Sequence, residues 1–236
     1  MAPVLEVKGL SKRYPGFSLE GAAFTLMPGK IIGFVGRNGA GKSTTINCVL
    51  NLACPDAGEV RFWGMPYGGN EPEIRQRVGF VSSGMTLYPR RRIKTITSVT
   101  RRFYPGWDEQ MYRRCMEWFQ LEENKTPAQL SQGMRIKYAL ALALSHGAKL
   151  LILDEPTSGL DPVSREELRR IFLRLRDQGV TILFSTHITS DLEQCADEII
   201  YIRRGKILCH NTLEDFVRKN GGTTLEQIMI QLEVGV

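Results

Sequence analysis

The 236-residue sequence has no apolar run long enough to cross a membrane. Its longest candidate, residues 138–144, contains seven residues, whereas a membrane-spanning helix needs roughly 20. Residues 1–6 lack the basic stretch and the following apolar stretch of a secretory signal. These absences predict a cytoplasmic protein, and any role at a membrane then requires a membrane partner.

Cysteine is scarce, and its positions exclude the usual cysteine-based sites. The five cysteines form no CxxC pair and show no spacing typical of metal ligands. Their number is odd and the other features indicate a cytosolic protein, so free thiols are predicted rather than disulfides. Hydrophobic residues make up 42% of the chain and charged residues 24%, which is typical of a soluble globular protein.

Short apolar runs alternate with helical patterns along most of the chain. Strands are predicted at residues 31–35, 78–81, 150–153 and 180–184. Helices are predicted at residues 42–52, from 108 onward, 131–145 and 162–177. Because strands that alternate with helices favour a mainly parallel sheet covered on both faces, the predicted fold class is α/β.

Three regions depart from this alternation. Residues 4–7 and 18–26 read as strands around a turn at Pro15-Gly16, which predicts an N-terminal antiparallel β part. Residues 86–148, approximately, read as a helical insert between two parts of the sheet. Residues 199–202 and 207–209 read as a hairpin, and about 211–236 as a short helical tail. The whole chain, 1–236, is interpreted as one domain.

Residues 36–43 match the phosphate-binding pattern GxxxxGK[ST]. They follow a predicted strand and open a predicted helix, where glycines let backbone N–H groups face phosphate oxygens and the helix end favours negative charge. Lys42 is expected to bridge the β- and γ-phosphates of ATP, and Ser43 to offer its hydroxyl to Mg²⁺. The residues predicted to hold the nucleotide are Gly36, Arg37, Asn38, Gly39, Ala40, Gly41, Lys42, Ser43 and Thr44.

Polar side chains follow two of the predicted strands at their carboxyl ends, where ligands of parallel sheets usually bind. Asp154 is predicted to hold Mg²⁺, and Glu155 to act as the base that polarises the attacking water. Two adjacent carboxylates repel each other unless a cation lies nearby, which favours a metal site over a solvated acidic pair. His187 ends a Ser-Thr-His sequence and is predicted to orient the water or Glu155 beside the γ-phosphate. A purely structural histidine is the alternative.

Residues 130–133 read Leu-Ser-Gln-Gly and stand between the phosphate loop and the acidic pair. With this order of motifs, the chain resembles the ATP-binding subunits of ABC transporters along nearly its whole length, and looks most like single-cassette subunits of bacterial exporters. The resemblance implies a RecA-like P-loop NTPase fold that binds ATP and Mg²⁺. It also implies that two ATPase subunits, as a homodimer or a heterodimer, close around two ATP–Mg²⁺.

The resemblance assigns roles to further residues. In this family the residues that match Ser131 and Gly133 face the γ-phosphate held by the other subunit. From residues 130–133 alone, ordinary helix capping by Ser131 is favoured, and the order of the motifs reverses that interpretation. Asp161 lies in a segment that crosses the dimer interface. Tyr14 matches the aromatic residue that stacks on adenine, the alternative being an ordinary strand or turn tyrosine.

The resemblance also implies partners. The helical insert is expected to dock on integral membrane permease subunits, which places the protein at the inner face of the cell membrane as the ATPase of a transporter. No direct contact with nucleic acid is expected. A soluble ABC ATPase that serves a non-transport assembly process is the alternative function.

Three residues depart from the family pattern. Ser83 stands where a glutamine usually contacts Mg²⁺, and serine is too short to reach as glutamine does. Gln132 replaces a glycine of the signature, and Met134 replaces a glutamine. Because Ser131 and Gly133 are kept, a working but slower site is expected.

The insert carries a group of basic residues, and the chain has a formal net charge of +6. Acidic loops of the membrane subunit or lipid phosphates are candidate partners, and a solvated basic face is the alternative. The basic residues are Arg90, Arg91, Arg92, Lys94, Arg101 and Arg102.

Overall fold

A mostly parallel six-stranded β-sheet is the centre of the chain in the computed structural model, which describes residues 2–82, 88–221 and 224–234. Adjacent strands run parallel except for the last pair at one edge, which is antiparallel. In spatial order the strands are β10 (Lys206–Thr212), β9 (Glu198–Arg203), β3 (Ile31–Val35), β8 (Thr181–Thr186), β7 (Leu150–Asp154) and β6 (Val78–Ser82). This order places the carboxyl ends of β3, β8 and β7 side by side.

A second sheet is antiparallel and contains the N-terminal strands. In spatial order its strands are β2 (Phe17–Leu26), β1 (Leu5–Tyr14), β4 (Ala57–Phe62) and β5 (Met65–Pro66). The turn between β1 and β2 contains Gly16 at a φ of +82°, a conformation that glycine adopts without steric cost. The hairpin pairs Tyr14 with Phe17 at its closed end.

Helices connect the strands and cover both faces of the parallel sheet. Their starts follow from local sequence: Asp108 and Ser131 each accept a backbone N–H of the first helical turn, from Met111 and Met134. Short 3₁₀ turns lie at 101–103 and 127–129. The helices are α1 (Lys42–Val49), α2 (Glu71–Arg77), α3 (Ile93–Thr100), α4 (Glu109–Trp118), α5 (Gln132–Ser145), α6 (Pro162–Asp177), α7 (Thr189–Glu193), α8 (Leu213–Asn220) and α9 (Leu225–Val234).

The core lies on both faces of the parallel sheet because successive side chains of a strand point to opposite faces. In β3, Ile31 and Val35 belong to a hydrophobic cluster with α5 and α6. Ile32 and Phe34 belong to a second cluster with α1 and the antiparallel sheet. A strand buried on both faces is apolar throughout, which explains the short unbroken apolar runs in the sequence.

The structure confirms the predicted α/β class with its antiparallel part, and changes several boundaries. The first strand continues to Tyr14 instead of ending at residue 7, because both its neighbours pair along it. Helix α1 ends at Val49 rather than residue 52, since Asn51 adopts a φ of +54°. The last strand, β10, covers Lys206–Thr212 rather than residues 207–209 and ends where α8 begins, at Leu213.

Five elements were absent from the sequence prediction, namely β4, β5, α2, α3 and α7. They are short, and α2 buries a single residue, Ile74. Such elements depend on tertiary packing, so a sequence period predicts them poorly.

Among the helices that the structure describes, none combines the length and apolar content required to cross a bilayer. All five cysteines are free thiols, as predicted.

Candidate active site

The phosphate loop joins the end of β3 to the start of α1. Gly39 and Gly41 have φ values of +80° and +114°, which L side chains rarely adopt. A Cβ atom at Gly41 would also lie 2.8 Å from Cζ of Phe17. Glycine is therefore required at position 41, and the resulting turn aims the amino end of α1 at the cleft described below.

Lys42 is buried and fully engaged. Its side chain is 5% exposed, and Nζ donates hydrogen bonds to the carbonyl oxygens of Gly36 at 2.8 Å and Arg37 at 3.3 Å. Nζ also lies 3.1 Å from Oε1 of Glu155. A buried ammonium group needs such partners, because desolvation without them is costly.

The acidic pair is organised by the adjacent strand β8. Ser185 lies opposite Asp154 in the parallel register. Its hydroxyl donates to Oδ1 of Asp154 at 2.6 Å and accepts the backbone N–H of Glu155 at 2.9 Å. Glu155 has a φ of +51°, so the chain turns away from the strand direction here. This backbone conformation costs free energy and occurs mainly at functional sites.

Glu155 links the phosphate loop to the histidine that follows β8. Its Oε2 lies 2.8 Å from Nδ1 of His187, while Oε1 contacts Lys42. The His187 side chain is 39% exposed, so its ring remains accessible from solvent. Lys42, Glu155 and His187 are far apart in sequence, yet they form one connected set of polar contacts at the carboxyl ends of the central strands.

These residues line a cleft of about 540 Å³. The hairpin between β1 and β2 contributes Gly16 and Phe17 to its wall, whereas Tyr14 lies outside the lining and is 44% exposed. The Tyr14 ring lies 5.6 Å from Nζ of Lys12. The lining residues are Gly16, Phe17, Asn38, Gly39, Gly41, Lys42, Ser43, Thr44, Glu155, Ser158 and His187.

Seven other predicted site residues lie outside this lining, namely Gly36, Arg37, Ala40, Ser131, Gly133, Asp154 and Asp161. The Ser131 hydroxyl accepts the N–H of Met134 at 3.2 Å and caps α5. Gly133 is buried, and a Cβ there would lie 3.6 Å from the Ser164 side chain. Asp161 caps α6: its Oδ1 accepts the N–H groups of Val163 and Ser164, each at 3.0 Å. Hydrogen bonds from the side chain and backbone of Ser164 lower the pKa of Asp161. Ser83 lies outside the described residues.

Sequence reasoning missed Ser185 and Phe17 as parts of the site. Ser185 is the serine of the Ser-Thr-His sequence that ends at His187. Its position near the end of a predicted strand could have identified it as a site residue. Phe17 carries no local signal, because only the packing of the antiparallel sheet brings the hairpin onto Gly41.

Residues 19–158, more than half of the chain, match the family model described as ABC transporter. The chain belongs to the ABC transporter family, which confirms the resemblance read from its motifs. It is therefore an ABC-type ATPase domain that binds and hydrolyses ATP.

Curated relatives and solved structures agree with this assignment. The bacitracin transport ATP-binding protein BcrA of Bacillus licheniformis is 32% identical over 93% of this chain and 73% of its own. The Nod factor export ATP-binding protein I of Ralstonia nicotianae is 31% identical over 96% and 72%. A solved structure of an ATP-binding subunit of an ABC transporter is 29% identical, with a TM-score of 0.87 over 98% of this chain and 99% of that one.

The curated relatives differ in length, and the chain spans between 41% and 75% of eight of them. The substrates and partners of whole transporters are therefore proposals for this chain.

Proposed function

We propose that this ATPase dimerises around two ATP–Mg²⁺ and powers movement of a substrate through separate membrane subunits, in the export direction. One observation carries the proposal: Lys42, Glu155 and His187 meet in one cleft, while Ser131 and Gly133 lie outside its lining. A site that needs both groups requires a second copy, or a homologue, to supply the start of α5.

Lys42 and the backbone N–H groups of the phosphate loop hold the β- and γ-phosphates. Glu155 polarises the attacking water, and His187 holds Glu155 in place through the 2.8 Å contact at Nδ1. Since Glu155 also contacts Lys42, incoming phosphate oxygens compete for the same ammonium group. Binding of ATP therefore releases one carboxylate oxygen of Glu155 toward the water.

The residues available for Mg²⁺ fit that ion. It prefers oxygen ligands, usually one or two carboxylates together with substrate phosphates. Ser43 lines the cleft, and Asp154 precedes Glu155, which also lines it, and is held by the Ser185 hydroxyl. When bound, Mg²⁺ offsets the negative charge of the phosphates. The fixed Ser185–Asp154 hydrogen bond keeps the carboxylate oriented for it.

A docking surface for membrane subunits is proposed beside an apolar cleft of about 400 Å³. Leu52, Ile74 and Leu142 contribute to its wall, and Thr100 and Tyr104 bring the basic segment 88–107 to its rim. The 31 basic and 25 acidic residues of the chain differ by six, and this segment contains six basic residues and no acidic one. The excess positive charge thus lies in a segment that contributes two residues to the wall of the cleft.

Within the described residues, only one of these six cations has a carboxylate partner: Arg101 lies 3.9 Å from Glu109. Tyr88 and Phe103 are each 70% exposed in the same segment. Exposed aromatic and unpaired basic side chains together fit an acidic, partly apolar surface at the cytoplasmic side of a membrane subunit. These features support the proposal that the protein works at the periphery of the membrane.

Export is favoured by the kind of relatives the chain matches. Their names refer to transport of bacitracin and export of Nod factor, and both are matched over more than nine-tenths of this chain. The chain itself contributes no substrate selectivity, because the membrane subunits contact the transported molecule.

Replacing Glu155 by Gln tests the division of roles. The amide keeps the shape of the side chain but is not a base, so we expect turnover to fall by about 10²–10⁴, ATP to remain bound, and an ATP-dependent dimer to accumulate. Size-exclusion chromatography with light scattering, with ATP and with ADP, measures the dimer. Glu167→Gln on the exposed face of α6 is the matched control. Rapid turnover, or a monomer in ATP, would contradict the proposal.

A further inference from the structure

Gln132, the first residue of α5, contacts the loop that carries the acidic pair. Its Nε2 donates a 2.7 Å hydrogen bond to the carbonyl oxygen of Ser158. Its Oε1 lies beside Gly159, where an added Cβ would stand 3.1 Å away. Gly159 has a φ of +73°, so the loop is turned to present its backbone to the glutamine side chain.

The contacted loop leads directly to Glu155. The N–H of Ser158 donates to the carbonyl oxygen of Glu155 at 3.2 Å, and Ser158 also lines the cleft. The loop is closed at its other end by the N–H of Leu160, which donates to Thr157 at 3.2 Å. A displacement of the Ser158 carbonyl is therefore transmitted within one tight turn to the residue that carries the proposed base.

The other end of the connection is the start of α5. Ser131 is exposed there, and the buried Gly133 packs against Leu160 and Ser164. The start of α5 therefore packs against the 155–161 loop, and Gln132 adds a hydrogen bond between them. The signature of the resembled family has glycine at this position, and glycine has no side chain that could form this bond.

We propose that Gln132 is a positioning residue that couples the two nucleotide sites of a dimer, an inference that rests on the proposed split site. The start of α5 serves the nucleotide held by the partner, whereas Ser158 and Glu155 belong to the chain's own cleft. When α5 moves onto the partner's nucleotide, the Gln132 hydrogen bond displaces the Ser158 carbonyl. This displacement changes the position of Glu155. ATP bound at one site thereby promotes hydrolysis at the other.

The experiment is the dependence of ATPase rate on ATP concentration for the full chain and two variants. Gln132→Glu keeps the shape but removes the donor, and Gln132→Gly removes the side chain. Gln110→Glu, on the exposed face of α4, makes the same charge change away from the loop. Thermal melting and the affinity for ADP at low protein concentration are measured in parallel.

We expect a Hill coefficient above 1 and at most about 2 for the parent, since two sites act together. In both Gln132 variants it should fall to about 1, with kcat lowered more than KM is changed because the coupling acts on Glu155, while melting and ADP affinity match the parent and the Gln110→Glu control keeps the parental coefficient. Parental coefficients in both Gln132 variants, or an equal loss in the control, would overturn the coupling role. A parent that hydrolyses ATP at a rate insensitive to dilution and to Ser131→Ala would instead overturn the split site itself.

Discussion

Lys42 and Glu155 are 113 positions apart in sequence, yet their charged atoms lie 3.1 Å apart. Each partly neutralises the other in the absence of nucleotide, which permits both to be partly or fully buried. The same contact orders the site, because Glu155 in turn holds His187. At this scale, the proposed function depends on the Lys42 ammonium group, which can exchange the Glu155 carboxylate for a phosphate.

Lys42→Ala removes a charged donor to the phosphates. We expect the affinity for ATP to fall by about 10–100-fold, because a hydrogen bond to a charged group contributes roughly 1.5–3 kcal/mol. Fluorescence titration with a labelled ATP analogue measures the dissociation constant, and Lys8→Ala, at an exposed site, is the control. Unchanged affinity would count against the assigned phosphate contact.

The hairpin between β1 and β2 offers two aromatic rings for adenine. Phe17 lines the cleft and touches the phosphate loop at Gly41, whereas Tyr14 is more exposed. We expect Phe17→Leu to weaken ATP binding by about 2–10-fold, in keeping with the 0.5–1.5 kcal/mol of an aromatic contact, and Tyr14→Ala to weaken it less. Isothermal titration with ATP measures both. A larger loss in Tyr14→Ala would return the stacking role to that residue.

At the scale of elements, α5 links the signature residues, 130–133, with the rest of the helical insert and with the apolar cleft. Its first residue contacts the 155–161 loop, and its last turn ends at His146. The His146 ring stacks on Tyr104 at a centroid distance of 4.1 Å. Its Nδ1 lies 3.1 Å from the Gln76 carbonyl oxygen, which accepts a hydrogen bond from the neutral ring. Both ends of α5 are thus held by polar contacts to other elements.

The buried His146 ring at the C-terminal end of α5 makes the free energy of unfolding depend on pH. Burial lowers the pKa of His146 below its ordinary value, so the unfolded chain binds a proton more readily than the folded one. Stability is therefore lost as pH falls below about 6.5, by at most about 1.4 kcal/mol per pH unit from this residue. Chemical denaturation at pH 7.5 and 5.5 should show a smaller difference in His146→Gln than in the parent. Loss of the Tyr104 contact affects the variant equally at both pH values, and an unchanged difference would contradict the prediction.

At the scale of the whole molecule, charge is distributed unevenly. Residues 88–107 contain the whole excess of basic over acidic residues, and Thr100 and Tyr104 of this segment line the apolar cleft. The phosphate cleft and the proposed docking surface are therefore formed by different parts of the fold. Helix α5 borders both: Gln132 at its start contacts Ser158 of the phosphate cleft, and Leu142 near its end lines the apolar cleft.

Reversing the charge of Arg90, Arg91 and Arg92 to Glu tests this surface. We expect the fraction of the protein that sediments with the membranes of its own cells to fall several-fold, because contacts between exposed charges weaken on reversal and on addition of salt. Reversing Lys8, Lys206 and Arg218, which are 67%, 60% and 72% exposed, gives the same charge change elsewhere. Equal sedimentation of the two triple variants would show that the segment is only a solvated basic face.

The local chemistry of this protein was open to prediction from sequence alone. The phosphate loop, the acidic pair at a strand end, and the helix starts at Ser131 and Asp161 each depend on neighbouring residues, whose spacing determines backbone conformation and capping. The α/β class followed from apolar periodicity for the same reason. The ABC family followed from the order of the motifs.

The contacts between distant segments were decided only by the tertiary structure. Strand order places Ser185 against Asp154 and brings Glu155 to Lys42, and sequence spacing does not encode which strands become neighbours. Packing of the antiparallel sheet places Phe17 on the phosphate loop, and packing of α5 places Gln132 on Ser158. These contacts form because burial of apolar surface selects one arrangement of the elements, a property of the folded chain as a whole.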